Sequence, residues 1–222
     1  MHFIYPKLCL NCAKTLMAQE ELLCLECIEL LPFTQYHDIV NNQSAQRFDG
    51  RIKYENITSS LYFTKDGLLQ FLLHEFKYKG SKNVGLFLGN RFGQSLKKTN
   101  WIKDIDVIIP VPLHSNKYKS RGYNQSEIIA MSMGAILNVE TNTTAFIRVR
   151  NTDSQTHKSR IERSENMDGA FALADKDSLV NKHILLLDDV LTTGATLEAC
   201  YQTLKDVEGI KISIATIAIA TA

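Results

Sequence analysis

The sequence predicts an α/β protein with a largely parallel sheet and a small cysteine-bearing segment ahead of it. Three observations carry that expectation. From residue 57 onward, stretches of strand character alternate with stretches of helical periodicity, as in parallel strands joined by crossover helices. One strand, "HILLLDD" at 183–189, ends on two adjacent acids and runs into a turn of hydroxyl residues and one glycine. Four cysteines, Cys9, Cys12, Cys24 and Cys27, fall as two C-x-x-C pairs in a segment too short to bury a core of its own.

The elements follow in order. Residues 1–45 are expected to form a metal-stapled finger and linker, and 46–222 the main domain, with 38–56 read as a polar, poorly packed stretch. "ITSSLYFT" is a strand. Leu68, Leu69, Leu72, Leu73 and Phe76 make one helical stripe, and Val84, Phe87, Leu88 and Phe92 another. "DVIIPVPLH" is a buried strand stopped by Pro110 and Pro112, and "NQSEIIAMSMGAIL" returns to helical spacing. "TAFIRVR" alternates, "AFALA" and "HILLLDD" are strands, "ATLEACYQTLKDVEG" is a helix with Gly209 near its end, and "IKISIATIAIA" is a final strand.

The 222 residues are 45% apolar, enough to bury one good-sized core with a small appendage. Twenty-five Lys and Arg against 24 acids leave a net charge of +1, so no global field draws the chain to nucleic acid or an anionic membrane, and any polyanion site must be local. The first residues lack a leader pattern and no stretch reaches about 18 uninterrupted apolar residues, so a cytoplasmic chain without membrane insertion is expected. In that reducing compartment the cysteines are poor disulfide candidates. The spacing C-x2-C-x11-C-x2-C instead suits a structural Zn²⁺ held by four thiolates, with an iron–sulfur cluster or redox pairs as the alternatives. Cys200 sits at helical spacing among apolar residues and is expected to be a buried core thiol.

In "ILLLDDVLTTGAT" the strand is expected to end at Asp188 and Asp189 and the helix to begin near Ala195. A helix N-terminus beyond a parallel strand offers free N–H groups to phosphate. Thr192, Thr193 and Thr196 add hydroxyl donors, and Gly194 lets the backbone close around the anion. Two carboxylates accept, so they suit the vicinal hydroxyls of a ribose or a hydrated Mg²⁺. The combination fits a ribose 5-phosphate; simple helix capping is the competing explanation of such an Asp or Thr.

"LLLDDVLTTGAT" resembles the phosphoribosyl pyrophosphate (PRPP) signature of the type I phosphoribosyltransferases. "CLNC…CLEC", "FKYKG", "PVPLH", "RGYNQSEIIA" and "TDSQTHKSRIERSENMDGAF" stand around it in an order similar to that of the ComF family, the competence-linked phosphoribosyltransferase-like proteins. The resemblance implies a zinc finger on a type I phosphoribosyltransferase fold, PRPP bound with Mg²⁺, and a link to DNA uptake in natural transformation. It places Asp188 and Asp189 on the ribose hydroxyls, with Val190, Leu191, Thr192, Thr193, Gly194, Ala195 and Thr196 forming the PRPP loop. Lys117, Lys119 and Arg121 then fall on the pyrophosphate loop, and Gln155 and Arg160, beside His157, Lys158 and Arg163, on a lid. The implied chemistry is displacement of pyrophosphate from the ribose C1, with Asp188, Asp189 and Arg121 as the catalytic set and no residue naming the acceptor. The competing function is a non-catalytic competence factor or PRPP sensor that binds single-stranded DNA or a helicase, using basic segments interleaved with Tyr118 and Tyr123.

Overall fold

The computed structural model describes residues 6–150 and 169–221. Among them are strands β1 (Ile57–Phe63), β2 (Val107–Pro110), β3 (Glu140–Thr141), β4 (Phe146–Arg148), β5 (Phe171–Leu173), β6 (His183–Leu191) and β7 (Lys211–Ala220). The helices are α1 (Leu25–Glu29), α2 (Gln43–Gln46), α3 (Leu68–Tyr78), α4 (Lys82–Leu96), α5 (Ser115–Arg121), α6 (Gln125–Leu137) and α7 (Ala195–Leu204). Five strands form one sheet in the order β1-β7-β6-β2-β3, every neighbouring pair parallel, while β4 and β5 make a separate antiparallel pair. The alternation of strand and helix in the sequence thus becomes the expected α/β sheet.

Residues of the inner strands divide between two apolar layers, as the period of two requires. Ile108, Leu185 and Leu187 join the core beneath α3, α4 and α6, whereas Ile109, Ile184 and Leu186 join the core that includes Leu197, Cys200 and Leu204 of α7 and Phe146 and Phe171 of the β4–β5 pair. Cys200 is fully buried, and burial pushes its thiol well above the usual range, as befits a core side chain. Helices α4 and α6 approach closely because Gly89 has no side chain: a Cβ there would lie 2.7 Å from the Ile129 carbonyl oxygen.

Three local expectations are corrected. Residues 38–56 are not a loose linker. Phe48 is fully buried, and Asn42 caps α2 by accepting from Ser44 N and Ala45 N while its amide donates to Ile39 O and Ile57 O. A buried hydroxyl chain, Ser44 to Ser59 to Thr216 at 2.7 Å per step, ties this segment to β1 and β7. These polar residues therefore pack because each has a partner, which composition does not reveal. The stretch after Pro112 is not a simple loop, since it contains α5, closed by Gly122 at φ 79°. Strand β6 continues past the acids to Leu191, so the turn before α7 is shortened to Thr192–Gly194.

The cysteine segment shares the core of the sheet domain: Cys9, Leu23, Cys24, Cys27, Ile28 and Leu31 lie in the same apolar cluster as Leu69, Phe87 and Phe92. No helix among the described residues is long and apolar enough to cross a membrane.

Candidate phosphate and diol site

The acids sit at the carboxyl end of β6, in the middle of the sheet, where β2 has already ended at Pro110 beside Leu187. Asp188 Oδ1 accepts from the Ser126 hydroxyl at 3.2 Å and from Asp189 N at 2.8 Å. Burial, then the neighbouring charge of Asp189, push the Asp188 carboxyl up to about 7, against the pull of those donors and of Lys77. A carboxyl so placed gains from any ligand that brings it further donors.

Beyond the acids, Asp188 and the residues Val190–Leu197 line one small pocket that opens on the N-terminus of α7. Thr192 is exposed and Thr193 and Thr196 half-buried, so their hydroxyls are available to an anion, while Gly194 and Ala195 are buried in the floor. Gly194 is irreplaceable on two counts. Its φ is +86°, and a Cβ there would lie 2.7 Å from Phe48 Cε1. Arg51 completes the support, pairing with Glu198 at 2.7 Å and donating to Thr193 O at 3.3 Å. The sequence gives no sign of Phe48 and Arg51 as part of the site, because their stretch reads as polar and irregular.

The residues of "RGYNQS" divide the work around this end of the sheet. Arg121 donates to Gln125 Oε1 at 3.0 Å and places its guanidinium over the Tyr78 ring at 5.7 Å. Gly122 ends α5. Tyr123 is buried, stacks on Phe76 at 5.6 Å and donates its hydroxyl to Phe76 O, so it packs the core and offers no face to a base. Asn124 caps α6 through Ser126 N and binds Val111 O, setting Ser126 above Asp188. Lys119 and Tyr118 are exposed and Lys117 half-buried on α5, which has no buried residue. Gln155, His157, Lys158, Arg160 and Arg163 lie outside the described residues.

Lys77, near the end of α3, is a site residue that sequence reasoning passes over. Its ammonium pairs with Asp189 Oδ2, the two side chains only 22% and 18% exposed. Burial acts to lower the Lys77 pKa, but Asp189 and Asp188 outweigh it and hold it above the ordinary lysine value. The only signal for it in the sequence is its place in "FKYKG", one of the segments that carry the family resemblance.

The four N-terminal sulfurs lie within 4.8 Å of one another, with Cys12 and Cys24 Sγ 3.6 Å apart. A tetrahedral zinc–thiolate site needs about 3.8 Å between sulfurs, so the set fits and could hold zinc. The donors around it favour thiolates unequally. Cys24 N donates to Cys9 Sγ at 3.3 Å, and the backbone donors of Cys12, Cys24 and Asn11 outweigh burial to bring Cys9 down to about 6. At Cys27 the Asn11 amide, 3.2 Å away, lowers the pKa, but burial and the three neighbouring cysteines raise it to about 12. Four thiols this close do not all ionise without a cation among them.

Residues 123–221, the stretch holding α6, the acid pair, the threonine turn and β7, match the phosphoribosyl transferase domain model, in keeping with the type I phosphoribosyltransferase fold. Over 198 residues the chain is 27% identical to "Competence protein F" of Haemophilus influenzae, covering 85% of this chain and 86% of that protein. It is 29% identical over 139 residues to the "DNA utilization protein YhgH" of Salmonella typhimurium and 26% over 135 residues to "Competence protein ComFC" of Bacillus subtilis, spanning 60% and 52% of their lengths. The chain is thus similar to the competence and DNA-utilization proteins of the ComF type, and its residues 123–221 to a phosphoribosyl transferase domain. Among solved structures, a purine phosphoribosyltransferase from Pyrococcus horikoshii superposes over 60% of this chain and 74% of its own at 20% identity and a TM-score of 0.40, too loosely to bear weight.

Proposed function

We propose that the pocket at the carboxyl end of β6 binds PRPP with Mg²⁺, and that the protein serves DNA uptake or use, as the names of its relatives suggest. The observation that carries this reading is the placement of two carboxylates near the end of β6, two residues short of a hydroxyl-lined turn and a helix N-terminus. That order suits a diol held by acceptors beside a phosphate held by donors. Asp188 and Asp189 would take the ribose hydroxyls, and Thr192 to Thr196 the 5-phosphate. Mg²⁺, which the same acids can hold through water, supplies charge neutralisation to a leaving pyrophosphate. Arg121 supports the departing anion from the α5 side. Transfer to an acceptor is the corresponding activity. Titration calorimetry with PRPP and Mg²⁺, followed by a pyrophosphate-release screen over nucleobases, tests binding and turnover in turn.

A second reading draws on α5. A seven-residue helix with no buried residue, exposing Tyr118 and Lys119 beside Lys117, suits contact with single-stranded DNA, with PRPP as a bound regulator. Cys9, Cys12, Cys24 and Cys27 hold a structural zinc in either reading, since four protein thiolates leave no open coordination position.

A further inference from the structure

The acid pair is flanked by different elements on its two sides. The turn Thr192–Gly194 leads into α7, which belongs to one apolar layer, whereas α3 and α6 belong to the other. From that second layer comes Lys77, which pairs with Asp189; Arg121, at the end of α5, is held over Tyr78 beside it. The two cations are close enough to repel each other. Cations placed so close together can share an anionic group such as a phosphate through charge-assisted hydrogen bonds.

We propose that Lys77 is a diphosphate-binding residue of this site, its ammonium bridging from Asp189 to the pyrophosphate of a sugar whose ring hydroxyls lie on the acids. The inference rests on the PRPP reading above and deepens it. An ammonium has three donors, and Asp189 uses one. The end of α3 is held rigidly, because Phe76 is fully buried and its carbonyl accepts the Tyr123 hydroxyl. Lys77 therefore enters the site from a helix anchored on both sides. Gln125, held by Arg121 through its oxygen, keeps its amide nitrogen buried without a hydrogen-bond partner among the described residues, a further donor next to the same cation. The ligand this arrangement selects carries a phosphate monoester at one end, a vicinal diol in the middle and a diphosphate at the other end.

The test compares three ligands on the full chain: PRPP, ribose 5-phosphate and inorganic pyrophosphate, by calorimetry with Mg²⁺ present. Lys77→Gln should weaken PRPP and pyrophosphate roughly ten- to hundredfold, the loss of one charged hydrogen bond, and change ribose 5-phosphate by less than about threefold. Lys77→Arg should recover most of the loss. Lys79→Gln, which removes an exposed partner of Glu75, should change nothing. Equal weakening of PRPP and ribose 5-phosphate would make Lys77 a positioning residue for Asp189 and overturn the proposal, as would unchanged pyrophosphate affinity in a folded Lys77→Gln protein. Failure of the unaltered protein to bind PRPP would instead remove the reading on which the proposal stands.

Discussion

At the scale of single residues, the site depends on groups whose charge is set by their neighbours. Asp188 is the clearest case. A carboxyl raised in the folded state binds more protons when folded than when unfolded, so its contribution to stability is present below about pH 4 and is lost as pH rises toward about 7. Asp188→Asn should therefore flatten the fall in melting temperature over that window, as thermal melts across pH would show. Ligand binding should run the other way. Ribose 5-phosphate without Mg²⁺ needs the ionised acid, so its affinity should climb with pH and level off above about 7, and a flat profile would remove Asp188 from the diol. The double change Asp188→Asn, Asp189→Asn should leave a folded protein and cost about 1.5 to 3 kcal/mol of PRPP binding per lost charged hydrogen bond. The acids and threonines are legible in the sequence because they are contiguous and their residue types state their chemistry. Lys77 is not, because one lysine among many acquires its meaning only from a partner on a distant strand.

At the scale of elements, the phosphate turn is a composite. Three consecutive residues form it, but Phe48 packs against Gly194 and Arg51 holds Thr193 and Glu198 from a segment distant in sequence. Gly194→Ala should destabilise the domain by about 1 to 3 kcal/mol through the left-handed backbone alone, more with the Phe48 contact, and abolish ribose 5-phosphate binding. Arg51→Ala should weaken that binding with the acids intact, and a double-mutant cycle with Glu198→Ala should give a non-zero coupling. Strands β1, β2, β6 and β7 are legible because apolar runs of that length have few other uses, and α3, α4, α6 and α7 because their stripes are regular. The packing of residues 38–56 is hidden, since its order comes from buried polar partnerships, Asn42 and Ser44 above all. The cysteine pairs promise a further element-level effect. Cys24→Ser should lose bound zinc by metal analysis, and because Cys24 and Cys27 share an apolar cluster with α3 and α4, it should lower the melting temperature of the whole chain.

At the scale of the whole molecule, a net charge of +1 means that nucleic acid, if bound, is bound by a local patch. Lys117, Lys119 and Arg121 on α5 lie at the site end of the sheet, and Lys158, Arg160 and Arg163 lie outside the described residues. Three to six phosphate contacts should give a log–log salt slope of roughly −2 to −4 for single-stranded DNA, with PRPP and Mg²⁺ lowering the affinity. Filter binding across salt measures both; a slope near zero would exclude DNA from this end. The strand order also bears on how such a chain is made. Among the described strands, β7 follows all the others in the chain yet lies between β1 and β6, so β1 has no neighbour in the sheet until β7 is made. A chain arrested before Lys211 would present the facing edges of β1 and β6 unpaired, each a template for pairing with another chain. The nascent chain thus closes this sheet only when β7 inserts, and its exposure to aggregation falls in the interval before that insertion, when chaperones would find it.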